Sequence, residues 1–192
     1  TVTKAQNTWQ FAGDYKVIIG LYDSQHFVVD DGNRDYKYTT DGGATLQNFG
    51  MSISSPRFLS FVEYLSTTRM RAVVFTGSSF ELHESNDGGA TFTMLSNILP
   101  AGMAPLNIPP HMVSFDNSES LLTCKVLYNS ELFYVLVRTT DGGNSWNLAT
   151  ADTFAFKDAY DIEIYKDGHV IAASKLPDGI EISTDRGQSF AA

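Results

Sequence analysis

The chain has 192 residues and a formal net charge of −9, and 43% of its residues are hydrophobic while 18% are charged. This balance excludes an intrinsically disordered segment, and the acidity argues against a nucleic-acid partner, whose phosphate backbone attracts basic surfaces. The single cysteine, Cys124, cannot form an intrachain disulfide, and no apolar stretch reaches the about 20 residues that membrane insertion as a helix requires.

Taken in chain order, the sequence alternates between short apolar-polar strands and turn residues, a pattern typical of an all-β protein. No segment shows a helical period with caps. The predicted strands form four units: 16–22, 26–30 and 35–40; 57–64, 71–76 and 81–85; 112–115, 121–127 and 132–139; 160–166, 169–174 and 180–184.

An eight-residue pattern follows the third predicted strand of every unit. It reads hydroxyl, any residue, Asp, any residue, Gly, any residue, hydroxyl and a large apolar residue. The four copies, which we call octets 1 to 4, begin at Thr39, Ser85, Thr139 and Ser183. A degenerate pattern that recurs at spacings of 46, 54 and 44 residues indicates a repeat architecture.

Each octet has the chemistry of a tight turn between two strands. An aspartate can accept hydrogen bonds from backbone N–H groups of its own turn, and glycine supplies positive φ angles at low steric cost. The apolar residue that follows anchors the returning strand in the core. We therefore interpret the octet aspartates as structural residues, although they look like candidate catalytic acids: Asp41, Asp87, Asp141 and Asp185.

The octets resemble the Asp-box, or BNR repeat, of sialidases and related β-propellers, and the resemblance covers essentially the whole chain. It implies one all-β propeller domain over 1–192, built from four blades of four antiparallel strands, at about 16–49, 56–97, 111–150 and 159–192. Leu46 replaces the usual aromatic in octet 1, and Arg186 replaces the first glycine in octet 4. These departures predict looser local packing.

The ends of the chain leave three ways to complete a ring. Residues 7–10 resemble 144–147, which open an outer strand, so 1–14 could supply the closing outer strand of the last blade. Alternatively, the chain is a piece of a larger propeller, or several copies self-associate to complete a ring.

The resemblance implies that ligands bind on the face opposite the octets. Aromatic rings stack on sugars and carboxylates bind hydroxyl groups, so the residues predicted for this face suit a glycan, and they also suit a protein ligand. The alternative is that the aromatic residues belong to the core and the charges are merely solvated. The candidate ligand-binding residues are Asp30, Asp31, Arg34, Asp35, Arg57, His111, Phe154, Phe156, Lys157 and Asp158.

Enzymatic activity receives less support from the sequence. The resemblance implies that a sialidase would need three arginines around the substrate carboxylate, and only Arg34 and Arg57 are expected on the ligand face. Other glycoside hydrolases need two carboxylates about 5–5.5 Å or about 6.5–9.5 Å apart, and the sequence selects no pair. The four histidines are scattered, so neither a metal nor another cofactor is expected.

The sequence therefore predicts a non-catalytic recognition module that binds a glycan or a protein. A cell-surface or virion-surface adhesin fits the acidity and the lack of disulfides better than a cytoplasmic protein. The competing interpretation is a glycoside hydrolase, sialidase-like or other, or a fragment of one.

Overall fold

The computed structural model describes residues 17–30, 32–150, 159–174 and 179–191. All regular structure in these ranges is antiparallel β, which confirms the predicted all-β class, and none of it is helical. No described segment therefore forms a helix long and apolar enough to cross a membrane.

Sixteen strands make up four consecutive sheets within the described ranges. Sheet 1 contains β1 (Val17–Leu21), β2 (Phe27–Asp30), β3 (Tyr36–Thr39) and β4 (Gln47–Asn48). Sheet 2 contains β5 (Phe58–Tyr64), β6 (Met70–Phe75), β7 (Phe80–Ser85) and β8 (Thr93–Asn97). Sheet 3 contains β9 (Ala104–Pro105), β10 (His111–Ser114), β11 (Ser120–Tyr128), β12 (Glu131–Thr139) and β13 (Asn147–Leu148). Sheet 4 contains β14 (Ala159–Ile164), β15 (Val170–Ser174) and β16 (Ile180–Ser183).

Each sheet is a meander in which consecutive strands pair, because short turns connect antiparallel neighbours. The long β11–β12 hairpin turns at Asn129 and Ser130, whose φ angles of 50° and 66° suit the two-residue turn that matches strand twist. The observed strands begin and end within two residues of the predicted ones.

The strand numbers differ from the prediction of four strands in every blade. Sheet 3 has a fifth strand, because β9 pairs with β11 beyond the end of β10. Sheet 4 has three strands, and its fourth position is occupied only by a bridge between Ile182 and Ala191. Sheets 1 and 2, 2 and 3, and 3 and 4 pack against each other, whereas no comparable packing joins sheet 1 to sheet 4 in the described ranges, so these sheets form an open arc. The predicted closing strand, 1–14, lies outside the described residues.

Three apolar clusters in the described residues hold the arc together, and each lies between consecutive sheets. Sheets 1 and 2 pack around Val28, Tyr38 and Met70. Sheets 2 and 3 pack around a larger cluster that includes Phe80 and Phe133. Sheets 3 and 4 pack around the cluster given by Val113, Leu121, Leu136, Ile162, Ile164, Val170 and Ala172. Strand alternation places apolar side chains on both faces of the middle sheets, which explains their long apolar runs.

The octet glycines allow these sheets to approach closely. A Cβ added at Gly143 of octet 3 would lie 2.3 Å from Leu82 Cδ2 of sheet 2. A Cβ added at Gly187 of octet 4 would lie 2.4 Å from Leu136 Cδ2 of sheet 3. Real Cβ atoms do not come this close to other carbons, so glycine is required for packing as well as for the turn.

Arg186 does not loosen octet 4, contrary to the sequence-based expectation. Its backbone adopts a φ of 58°, so it occupies the glycine-like conformation of the turn. Its guanidinium bonds to Glu119 of sheet 3, and Cζ lies 4.5 Å from the centre of the Phe115 ring. The arginine therefore links two sheets through an ion pair and a cation–π contact.

Candidate functional site

The meander divides the connections of the arc between two faces. One face carries the four octets together with the turns between the first two long strands of each sheet. We call it the octet face. The opposite face, which we call the loop face, carries the other hairpin turns and the connections between sheets.

On the octet face, each octet aspartate is occupied by its own turn. In octet 3, Asp141 Oδ1 accepts hydrogen bonds from Thr139 Oγ1 at 2.8 Å and from Ser145 N at 3.0 Å. Its Oδ2 accepts a bond of 2.6 Å from Ser145 Oγ. The same three bonds recur in octets 1, 2 and 4.

These bonds keep the octet carboxylates charged, because hydrogen-bond donors favour the ionised form. The backbone and side chain of Thr45 lower the pKa of Asp41 from 3.8 to about 2. Thr91 and Ser145 lower the pKa values of Asp87 and Asp141 to about 2 in the same way. A carboxyl group in this state is poorly suited to donate a proton near neutral pH.

The octet face also contains a fully buried arginine. Arg71 on β6 is 0% exposed, and its Nη1 donates to Ser120 Oγ at 2.7 Å and to Ser114 Oγ at 3.1 Å. Nη2 donates to the Asn117 carbonyl at 3.0 Å and to the Gly142 carbonyl at 2.9 Å. Nε lies 3.4 Å from Glu84 Oε2. Burial lowers the pKa of Arg71, and the charge of Glu84 opposes that effect.

Further ion pairs connect sheets on the same face. Glu63 of sheet 2 accepts bonds from Ser114 N at 3.1 Å and from Lys166 Nζ at 2.9 Å. Glu119 Oε1 of sheet 3 lies 2.5 Å from Arg138 Nη2, and its other oxygen bonds to sheet 4. The charges of the octet face are therefore used to join sheets 2, 3 and 4.

The loop face carries a different charge cluster, formed by Arg57, Glu81 and His83. Glu81 Oε2 accepts a hydrogen bond from Arg57 Nη2, and it lies 2.9 Å from His83 Nε2. Glu81 and His83 are two residues apart on β7, so both side chains point to the same side of the strand. The Arg57 side chain is 37% exposed, whereas those of His83 and Glu81 are mostly buried.

The β2–β3 hairpin brings other predicted residues to this region. Tyr36 at the start of β3 accepts a bond of 3.1 Å from Leu59 N, just after Arg57. Burial raises the pKa of Tyr36, the bond from Leu59 opposes this rise, and the charges of Asp30 and Arg34 also act on its hydroxyl. Tyr36 therefore links sheets 1 and 2 close to Arg57 in the chain, and the predicted residues Asp30 and Arg34 belong to the same hairpin as Tyr36.

The remaining predicted residues are distributed as follows. Asp35 Oδ1 forms an ion pair of 2.7 Å with Lys37 Nζ on the exposed side of sheet 1. His111 lies at the start of β10, with Nδ1 3.5 Å from Glu163 Oε2 of sheet 4. His111 therefore lies where sheets 3 and 4 meet, whereas the Arg57 cluster belongs to sheet 2. The other predicted ligand-binding residues lie outside the described ranges: Asp31, Phe154, Phe156, Lys157 and Asp158.

Sequence reasoning missed Glu81, His83 and Tyr36 as members of the region. The alternation of β7 offered a signal, because an acid and a histidine two residues apart share one side of a strand. Arg57 is assigned to its partner only by the fold, since it lies 24 residues earlier in the chain.

Neither metal nor thiol chemistry is visible in the described part of the chain. No group of three or more His, Cys, Asp or Glu residues in those ranges is arranged to hold a metal ion. Cys124 is 2% exposed, and burial raises the pKa of its thiol, so it is a packed core residue rather than a nucleophile.

No protein-family model matches the chain, and no curated protein matches it significantly. Among solved structures, it is similar to YCF48 bound to D1 peptide, with a TM-score of 0.57 and 17% identity over 90% of this chain and 52% of that one. It is also similar to YCF48 from Cyanidioschyzon merolae, with a TM-score of 0.57 and 14% identity over 95% of this chain and 57% of the other. The GH74 xyloglucanase from Xanthomonas campestris gives a TM-score of 0.56 and 14% identity over 86% of this chain and 28% of the enzyme.

These neighbours are β-propellers, so the four sheets have a propeller fold. The chain spans about half the length of the YCF48 chains. Because the identities are 17% or lower, the likeness establishes the fold and leaves the activity to be argued from the site.

Proposed function

We propose that this chain is a non-catalytic recognition module that binds a protein segment at the loop face. The proposal depends on one observation, the partly exposed ion pair of Arg57. Its guanidinium is held by Glu81 yet remains 37% exposed, so it is positioned and still has donors available for a ligand.

The contrast with the octet face supports this assignment. We propose that the octets are Asp-boxes, whose aspartates close turns instead of performing chemistry. Their carboxylates already bind donors through both oxygens. Arg71 is likewise saturated by its partners. Recognition then depends on the loop face, where Arg57, Arg34 and Asp30 combine both signs of charge.

An acidic protein segment suits this region better than other ligands. A guanidinium can form two parallel bonds with a carboxylate, which adds geometric specificity to the attraction. The YCF48 neighbour is a propeller whose structure was solved with a peptide bound, and this supports a peptide ligand for this chain. A glycan with a carboxylate would use the same guanidinium and is the first alternative. An extracellular or virion-surface location remains a prediction.

The test is a pair of arginine variants examined for binding. An array of acidic peptides and a glycan array first identify a ligand for the native chain. Arg57→Ala should then weaken affinity by at least tenfold, while Arg57→Lys recovers part of it. Arg69→Ala is the matched control, because Arg69 also pairs with one glutamate but lies on the octet face. Equal losses for Arg57→Ala and Arg69→Ala would reject the loop face as the binding surface.

A glycoside hydrolase is the second candidate function, and its support is the likeness to GH74 enzymes at TM-scores of 0.56 and 0.55. A panel of chromogenic glycosides distinguishes the two functions. Turnover that is abolished by replacing a loop-face carboxylate, for example Asp30→Asn, would favour the enzyme. Peptide binding without turnover would favour the recognition module.

A further inference from the structure

Two sheet faces at the ends of the arc carry exposed apolar side chains where the inner sheets carry buried ones. On sheet 4, Ile180 and Ile182 of β16 are 54% and 44% exposed. On sheet 1, Ile18 and Leu21 of β1 are 50% and 56% exposed. Isolated exposed apolar residues are normal on a protein surface. These residues, however, occupy repeat positions whose counterparts in the inner sheets are buried, which indicates a surface that requires a neighbour.

Two of the three inner junctions, between sheets 2 and 3 and between sheets 3 and 4, indicate what the sheet 4 face should contact. Leu82 in sheet 2 and Leu136 in sheet 3 each stand three residues before the first hydroxyl of their octet, and both are fully buried. Each packs against the second glycine position of the following octet, Gly143 or Gly187. Ile180 stands at the same position before Ser183, so its face should receive the octet of another sheet.

The face of sheet 1 has the complementary character. Leu21 pairs with Phe27 in the register in which Val62 of sheet 2 pairs with Ala72, because each is the second paired residue after the same bulge. Val62 is only 4% exposed because sheet 1 packs on it. Val29 is buried, so the exposed part of the sheet 1 face is β1. Octet 1 lies in the same sheet and has Gly43 at its second glycine position, with a φ of 89°.

We propose that the two end faces bind each other between two copies of this chain, head to tail. Sheet 4 of one copy packs on sheet 1 of the second, with Ile180 against the octet that contains Gly43. Two such junctions related by twofold symmetry close a ring of about eight sheets, within the range of about four to eight blades that propellers use.

This pairing accounts for both exposed ends at once. A contact of sheet 4 with sheet 4 would bury Ile180 and Ile182 but would leave Ile18 and Leu21 exposed. A contact between unlike ends that repeats without closing would form a filament, whereas the closed pair has a fixed mass. The proposal does not depend on Arg57 or on any loop-face ligand, so it can fail while the proposed function holds, and the reverse.

The first measurement is the molar mass of the native chain by light scattering over a range of concentrations. We expect a mass of twice 21.1 kDa that falls to the monomer on dilution. A monomer at every concentration, or a series of growing polymers, would overturn the closed pair.

The second measurement separates the two ends by complementation. One variant carries Ile180→Asp and Ile182→Asp, and the other carries Ile18→Asp and Leu21→Asp. Each alone should be a monomer, because every head-to-tail junction then contains two buried aspartates. An equal mixture should form dimers again, since one intact junction remains between the two kinds of molecule.

The control variant is Met94→Asp, which replaces an exposed apolar residue of the outer strand β8 and should keep the native mass. Because all replaced side chains are exposed, the thermal midpoints of the variants should stay close to that of the native monomer. A sheet 1 variant that still dimerises alone would indicate pairing of sheet 4 with itself. A mixture that stays monomeric would contradict the head-to-tail contact.

Discussion

Arg71 and Arg57 lie at opposite ends of sheet 2 and show how differently the two faces use the same side chain. Arg71, on the octet face, is 0% exposed and binds a glutamate, two serines and two carbonyl groups of the next sheet. Arg57, on the loop face, is held by Glu81 and stays 37% exposed. The charges on the octet face therefore join neighbouring sheets, whereas the guanidinium of Arg57 on the loop face stays partly accessible to solvent.

The physical reason lies in the connections of each face. The octets bring backbone carbonyls and hydroxyl groups of consecutive sheets close together, and a buried guanidinium is tolerated only when such partners satisfy it. The loop-face connections vary in length and sequence, so they do not supply this repeated set of acceptors.

Replacing Arg71 by methionine should destabilise the chain strongly. Loss of the guanidinium breaks its buried pair with Glu84 and removes the donor to the Asn117 and Gly142 carbonyls, and such losses cost about 3–5 kcal/mol. The free energy of unfolding in urea measures the effect. Arg69→Met is the control, because Arg69 shares Glu84 but is partly exposed, and it should cost no more than about 1 kcal/mol. Similar losses for both variants would mean that the buried network is not special.

Two glycine variants compare the crowding of the faces. Gly143 on the octet face and Gly179 on the loop face have φ angles of 94° and 68°. Alanine at either position is strained, but only at Gly143 would its Cβ meet a side chain, Leu82, at 2.3 Å. Gly143→Ala should therefore be less stable than Gly179→Ala by about 1–3 kcal/mol, the usual range for overpacking. Equal unfolding energies would show that the sheets can separate at no cost.

Acid should weaken the octet face in a defined pH window. The folded chain holds the pKa values of Asp41, Asp87 and Asp141 at about 2, below the ordinary 3.8. Because the folded-state pKa is the lower one, the stabilisation is complete above pH 3.8 and is lost as the pH falls towards about 2.

Urea unfolding at a series of pH values across this window measures the loss. Asp141→Asn is the control, because the amide keeps an acceptor oxygen but does not titrate. Its stability should fall less steeply with acid than that of the native chain. A native stability that does not change between pH 4 and pH 2 would contradict the role of the turn bonds.

The smallest change in stability is expected for Arg57→Ala. A pair between a partly exposed arginine and a glutamate contributes about 1 kcal/mol or less, and His83 remains beside Glu81. The same variant should lose ligand affinity. The measurement therefore compares the loss of binding free energy with the loss of unfolding free energy. A stability loss as large as that of Arg71→Met would place Arg57 with the structural charges and would remove the contrast between the faces.

The sequence by itself determined the strand order, the turns and the all-β class. Octets are recognised because the hydroxyl, aspartate and glycine that close each turn lie within five residues, and turn chemistry of this kind is local. Short runs of alternating apolar and polar residues likewise marked β7 and β11 as strands. The meander fixes which turns lie together and so places Arg57, Asp30 and Arg34 at the loop-face ends of their strands, and their part in ligand binding stays a prediction.

Only the tertiary structure decided which side chains meet across sheets. The contacts of Arg71 with sheet 3 join residues 43 to 71 positions apart, and no local pattern specifies such partners. For the same reason the sequence could not distinguish the saturated Arg71 from the exposed Arg57, nor foresee that Arg186 would bind Glu119 instead of loosening its turn. Packing between sheets also left Ile180 and Ile18 exposed at the ends of an open arc, because the burial of a side chain depends on the neighbouring sheet and not on its own strand.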